Sequence, residues 1–145
     1  MVTKVSTPVR SRAEVEQEIK ETLGLVPSFF NSIPDAIFDY EWQLFKRFEI
    51  TDQITAPPQD NPVIPAKYRQ LMGITLHSET KCVYCTLFHT ELARLFGATE
   101  AEIQEAVHYA KHSAGWSAYL NGIRADFDEF EKELGQIGEY LQGKG

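Results

Sequence analysis

A chain of 145 residues that is 43% hydrophobic and 12% aromatic can bury one sizeable core and is too short for two ordinary domains, so one domain over residues 1–145 is expected. Fourteen Lys and Arg against twenty-one Asp and Glu leave a formal charge of -7, which repels phosphate backbones and argues against a nucleic-acid partner. The apolar runs are only a few residues long and Met1-Val2-Thr3-Lys4 is not followed by an apolar signal core, so neither a membrane span nor secretion is expected and the chain reads as soluble and cytoplasmic.

Ser11 stands three residues before Glu14, the spacing of a capping box, and predicts a first helix that Gly24 ends. Pro27 then begins a further turn, and Phe29-Phe30 is expected in the core. In "PDAIFDYEWQLFKRFEIT", Ile37, Tyr40, Trp42, Leu44, Phe45 and Phe48 recur at intervals near three and four, which predicts an amphipathic helix with a core-facing aromatic stripe. "TAPPQDNPVIP" carries four prolines in eleven residues and reads as a loop.

Pro65 fits the first turn of the next helix, "PAKYRQLMGITLHSET", which runs up to the cysteines. A fourth helix begins at Lys81-Cys82 and stops at Gly97. Thr99 with Glu102 forms a second capping box and opens a long helix through "GWSAYLNGIRA". Gly115 is expected to interrupt that helix as a kink or a close approach, and Trp116 and Tyr119 are expected in the core or at a subunit contact. "DFDEFEKELGQIGEYLQ" is a last amphipathic helix, and its Asp126, Asp128 and Glu131 lack the glycine and spacing of a calcium loop. Strand-like alternation is absent, so the class is all-α with about six helices.

The chemistry gathers in "KCVYCTLFH", which holds both cysteines and one of the four histidines. In a reducing cytosol such a pair is redox-active, metal-binding or inert. If Cys82 occupies the first helical turn, Cys85 lies one turn further on the same face and the sulfurs can reach bonding distance. The helix dipole favours thiolates there, and thiol pKa values in such motifs fall to roughly 3.5–7.5. His89, four residues after Cys85, can take its proton, whereas Cys82 is two turns from His89. Peroxide reduction needs this set: an activated thiolate attacks the O–O bond, and a second thiol condenses with the sulfenic acid. His108 and His112, spaced i,i+4, could complete a metal site with the cysteines, but no zinc spacing template is met, and polar packing is the preferred reading. No metal and no cofactor is expected.

From Pro65 to Ala125 the chain resembles the carboxymuconolactone decarboxylase and AhpD-like alkylhydroperoxidase family, and "GLVPSFFNSIPDAIFDYEWQLFKR" looks like the N-terminal helices of its peroxidase-related members. The resemblance implies an all-helical fold, a homo-oligomer (trimer or hexamer), a small-molecule hydroperoxide as substrate and a dithiol or protein reductant as partner. The peroxidase branch carries Cys-x-x-Cys-x-x-x-His, matched by Cys82, Cys85 and His89, and the decarboxylase branch lacks the cysteine pair. Two positions depart from the pattern: Gln70 stands where the branch has a relay glutamate, and Tyr84 where it often has a histidine. Gln70 can hold a water or orient His89 but cannot exchange protons as a carboxylate does, and Tyr84 can donate a hydrogen bond to a peroxide oxygen. Glu79 and His77 are the nearest substitutes for the missing carboxylate. A redox sensor without turnover and a decarboxylase-like acid–base enzyme are the alternative functions.

Overall fold

The computed structural model describes residues 10–52 and 62–144 and is all-helical among them. The elements are α1 (Arg12–Leu23), a 3-10 turn (Ser28–Phe30), α2 (Asp35–Phe45), a π-helical turn (Lys46–Ile50), α3 (Ala66–Thr80), α4 (Val83–Leu95), α5 (Glu100–Gly122) and α6 (Phe127–Lys144). They divide into two compact units, one of residues up to Gln70 with Glu91–Ala98, the other of Leu71–Thr90 with Thr99–Gly145.

Local signals set the helix ends. The Ser11/Glu14 and Thr99/Glu102 capping boxes both close reciprocally, and Gly24, at φ 85°, ends α1 by donating to the Lys20 carbonyl. Pro65 stands just before α3 rather than in its first turn, its carbonyl accepting from the amides of Tyr68 and Arg69. Most of the proline-rich segment read as a loop lies at residues 53–61, outside the described residues.

In the first unit Val15 and Ile19 of α1 pack with Phe30, Phe38 and Trp42, and Leu23, Val26, Ile33 and Phe45 complete the cluster. The α2 stripe is therefore turned from its expected register. Phe38 and Trp42, four residues apart, are buried, whereas Ile37, Tyr40 and Phe48 are exposed. Aromatic and apolar residues stand on several sides of α2, so periodicity alone could not select the face that meets α1. Of the Phe29-Phe30 pair only Phe30 is in the core; Phe29 is 60% exposed and touches Phe30 and Phe45 with its ring.

Charge encloses this core on one side. Glu18 accepts from Trp42 Nε1 at 2.6 Å, Arg10 at 2.9 Å and Lys46 at 3.0 Å, and Arg10 also grips Asp39 at 2.7 Å. Burial pushes the Glu18 carboxyl up, but the hydrogen bonds from Arg10, Lys46 and Trp42 outweigh it and hold it below the ordinary value. The Arg10 hydrogen bond likewise lowers Asp39 against a smaller effect of burial.

Around the π-helical turn, Thr51 donates its amide to the Lys46 carbonyl at 2.8 Å. Arg69, on the first turns of α3, donates to the carbonyls of Ile64 and Arg47, both at 2.9 Å, and to those of Phe48 and Thr51. Burial lowers the Arg69 pKa. Asp52 caps α3 by accepting the Ala66 amide at 2.8 Å.

In the second unit, Thr75 of α3 donates to the Ala106 carbonyl of α5 at 2.9 Å, and Ile74, Ile103 and Ala110 are buried. α5 runs through Gly115 without a break, and a Cβ there would meet nothing within 4 Å, so no close approach at Gly115 occurs among the described residues. Trp116 and Tyr119 are 52% and 57% exposed and so do not belong to a core among the described residues. Arg124, at φ 51°, reverses the chain while Ala125 donates back to Leu120, and Asp126 then caps α6 through the Glu129 amide. No described helix is long and apolar enough to cross a membrane.

Both depressed carboxyls ionise more easily folded than unfolded. Their stabilisation is complete above the ordinary carboxylate range and is lost as pH falls through the lower folded values. Urea midpoints should therefore fall as pH drops below about 4, and Glu18→Gln should flatten that dependence while lowering the midpoint at neutral pH. A midpoint of the parent protein that is level across the acid range would contradict the assignment.

Candidate functional site

The end of α3 and the start of α4 share a tight reversal. Lys81 adopts φ 60°, and the Cys82 amide donates to the His77 carbonyl at 3.1 Å, which is the six-to-one bond of a Schellman turn. The Cys82 carbonyl accepts the Thr86 amide at 3.0 Å, so Cys82 caps α4 instead of occupying its first turn. Its Sγ accepts the Cys85 amide at 3.2 Å, as a serine or aspartate oxygen does at the same position. Cys82 and Cys85 are joined as a disulfide with Cα atoms 5.3 Å apart.

His77 belongs to this site. One of its ring nitrogens and both sulfurs lie within 4.8 Å of one another, all on half-buried side chains. Nδ1 of His77 meets Thr80 Oγ1 at 3.0 Å, which restrains the ring. The His89 ring stacks on His77, with centroids 5.4 Å apart and planes within 4° of parallel. Phe88 meets His89 edge-on at 5.3 Å. Gly73 closes the other approach: a Cβ built there would stand 2.5 Å from His89 Cγ and 2.6 Å from Nδ1 and Cδ2. A side chain at position 73 would occupy the space of the imidazole.

The remaining sequence candidates sit as follows. Tyr84, between the cysteines, is 83% exposed. Glu79 is also exposed. Gln70 is fully buried, and its amide donates to the Glu49 carboxylate at 2.8 Å and more weakly to the Glu49 carbonyl at 3.4 Å. The buried Gln70 amide thus holds a carboxylate supplied by the π-helical turn. His108 and His112 are exposed on α5, and the His/Cys group that the described residues bring within shared-ligand distance is His77, Cys82 and Cys85 instead. Sequence reasoning named His77 only as a spare carboxylate substitute and did not single out Gly73. The five-residue separation of His77 from Cys82 falls on two helices, so no single-helix spacing pointed to it.

Chemically, the arrangement can form and break a disulfide at a helix N-terminus, with an amide donor at one sulfur, the His77 imidazole beside both sulfurs and His89 stacked on His77. No curated protein matches the chain. The model of the carboxymuconolactone decarboxylase family matches residues 43–126. A crystal structure of the alkylhydroperoxidase AhpD core from Rhodospirillum rubrum superposes with a TM-score of 0.61, covering 87% of this chain and 96% of that one at 18% identity, and so shares the fold. With more than half of its length inside the family's model, the chain belongs to the carboxymuconolactone decarboxylase family and has the AhpD-like helical fold.

Proposed function

We propose that the protein is a thiol-dependent peroxidase of the AhpD-like type, acting on an organic hydroperoxide. The observation that carries this reading is the Cys82–Cys85 disulfide at the start of α4, with a His77 ring nitrogen within 4.8 Å of both sulfurs and the His89 ring stacked on His77. In the reduced protein His89, one turn on from Cys85, takes the thiol proton. The Cys85 thiolate attacks the O–O bond, which breaks to give a sulfenic acid and an alkoxide that leaves as alcohol after protonation. Cys82 then displaces water from the sulfenic sulfur and the disulfide forms. An external dithiol or dithiol protein returns two electrons and two protons by exchange. A reducing compartment such as the cytoplasm would supply it.

Tyr84, solvent-facing between the cysteines, serves as a hydrogen-bond donor to the entering peroxide. Gln70 serves as an auxiliary that holds a carboxylate in place of being one. This substitution also favours a second reading, a redox sensor that oxidises once and does not cycle. Treatment of the reduced protein with a slight excess of alkyl hydroperoxide should remove two hydrogens by mass as the Cys82–Cys85 bond forms, and sustained turnover with a dithiol should follow. Cys85→Ser should abolish both. Oxidation without sustained turnover would select the sensor, and activity surviving alkylation of both thiols would select acid–base chemistry of the decarboxylase kind.

The Gly73 contact gives an independent check. Gly73→Ala must displace the His89 imidazole, and a misplaced catalytic group costs up to about 10²-fold. Peroxide-driven disulfide formation in this variant should slow by about that factor while helix content is retained; an unchanged rate would remove His89 from the mechanism.

We further propose that the chain works as a homo-oligomer. Its support is α6, whose Phe127, Leu134 and Ile137 are 73%, 51% and 52% exposed at helical spacing, a large apolar stripe to leave in water. Light scattering should give a trimer or hexamer mass, and Leu134→Glu with Ile137→Glu should reduce it to that of the single chain. A monomeric parent protein would overturn this.

A further inference from the structure

The disulfide hides a ligand set that only reduction would release. Cys82 and Cys85 supply two sulfurs, and His77 supplies a nitrogen within 4.8 Å of both. Around a tetrahedral zinc ion, thiolate and imidazole donors lie about 3.5–3.8 Å apart, given metal–ligand bonds of about 2.0–2.3 Å. Once the S–S bond opens, small side-chain rotations bring the three atoms to that spacing. The Schellman bond ties the Cys82 backbone to that of His77 and so holds the two side chains near each other.

Two further observations suit a metal. Metal-bound histidines use one ring nitrogen for the ion and the other for a hydrogen bond that fixes the ring. His77 has such a partner in Thr80 Oγ1, at 3.0 Å from Nδ1, and with that bond kept an ion would take Nε2. The His89 ring, parallel to His77 within 4°, further restrains the plane. Two thiolates and one imidazole are soft enough to prefer zinc over magnesium or calcium, and three protein ligands leave a fourth position open.

We propose that the reduced protein binds one zinc-class divalent ion through Cys82, Cys85 and His77, with the fourth position open to water or an exogenous ligand. Metal and disulfide are then mutually exclusive at the same sulfurs. A hydroperoxide acting on the metal-bound form takes two electrons from the two thiolates and two protons from solvent, giving disulfide, alcohol and water, and the ion is released. A dithiol reductant restores the ligand set by exchange. Zinc would thereby protect the thiols and report their oxidation. The site shares its sulfurs with the proposed peroxidase but does not depend on turnover.

Cobalt(II), a spectroscopic stand-in for zinc, tests this on the whole chain after reduction with a dithiol and anaerobic removal of the reductant. One equivalent should produce thiolate-to-cobalt charge-transfer absorption and tetrahedral ligand-field bands, both abolished by zinc. The disulfide form should show neither. His77→Ala should weaken binding at least about tenfold and alter the ligand-field bands. His77→Gln, which keeps bulk and polarity on α3, serves if the alanine variant fails to fold. Absence of the bands in the reduced parent protein, or a histidine variant that titrates like the parent, would overturn the site. Peroxide oxidation of the metal-free reduced protein, measured in parallel, separates the two ideas. Disulfide formation without cobalt binding removes only the metal site, and cobalt binding without disulfide formation removes only the peroxidase.

Discussion

The hydrogen bond from the Cys82 amide to the His77 carbonyl closes α3, and the same residue opens α4. Everything at the candidate site follows from that economy of chain. Because Lys81 takes a left-handed conformation, one residue separates the end of one helix from the cap of the next. His77, in the last turn of α3, therefore comes beside sulfurs that sit in the cap and first turn of α4. A non-glycine residue in that conformation costs roughly 1–2 kcal/mol, which the turn's backbone hydrogen bonding helps offset. A longer connection would relax Lys81 and separate the imidazole from the thiols.

The two compact units divide the physical tasks. The first carries the aromatic cluster of Phe30, Phe38 and Trp42 under α1, enclosed by the Glu18 charge network. Trp42 belongs to both, with its ring in the apolar cluster and its indole N–H on the Glu18 carboxylate. Burying a tryptophan this deeply requires a partner for that N–H, and Glu18 supplies one while Arg10 and Lys46 compensate its charge. The second unit carries the sulfurs and the stacked imidazoles, on helices with far fewer buried side chains.

What the sequence disclosed was what is decided within a few residues. Ser11 with Glu14, Thr99 with Glu102 and the glycines at 24 and 97 mark helix ends through bonds to their own neighbours, and all four were readable. The Cys82–Cys85 pairing was readable for the same reason. Phe38 was passed over because α2 is apolar on several sides and only α1 selects the buried one. Gly73 carries no local signal, since a glycine inside a helix acquires meaning only from the His89 ring that another helix places against it. Trp116 and Tyr119 read as core or subunit-contact residues, and their exposure in this chain removes the first of these. Gln70 was read as standing in place of an acid, and the carboxylate it holds, that of Glu49, lies 21 residues away on a turn whose π-helical hydrogen bonding has no simple sequence signature.

Arg69 has a consequence for how this fold tolerates change. Its guanidinium donates to the carbonyls of Arg47, Phe48 and Thr51 on one side of residues 53–61 and to that of Ile64 on the other. A single side chain thus clamps both banks of that stretch. The end of the π-helical turn and the start of α3 are therefore joined through one planar group. Replacing Arg69 would strip four backbone carbonyls of a shared donor at once, so the seating of α3 on that turn rests on a single residue.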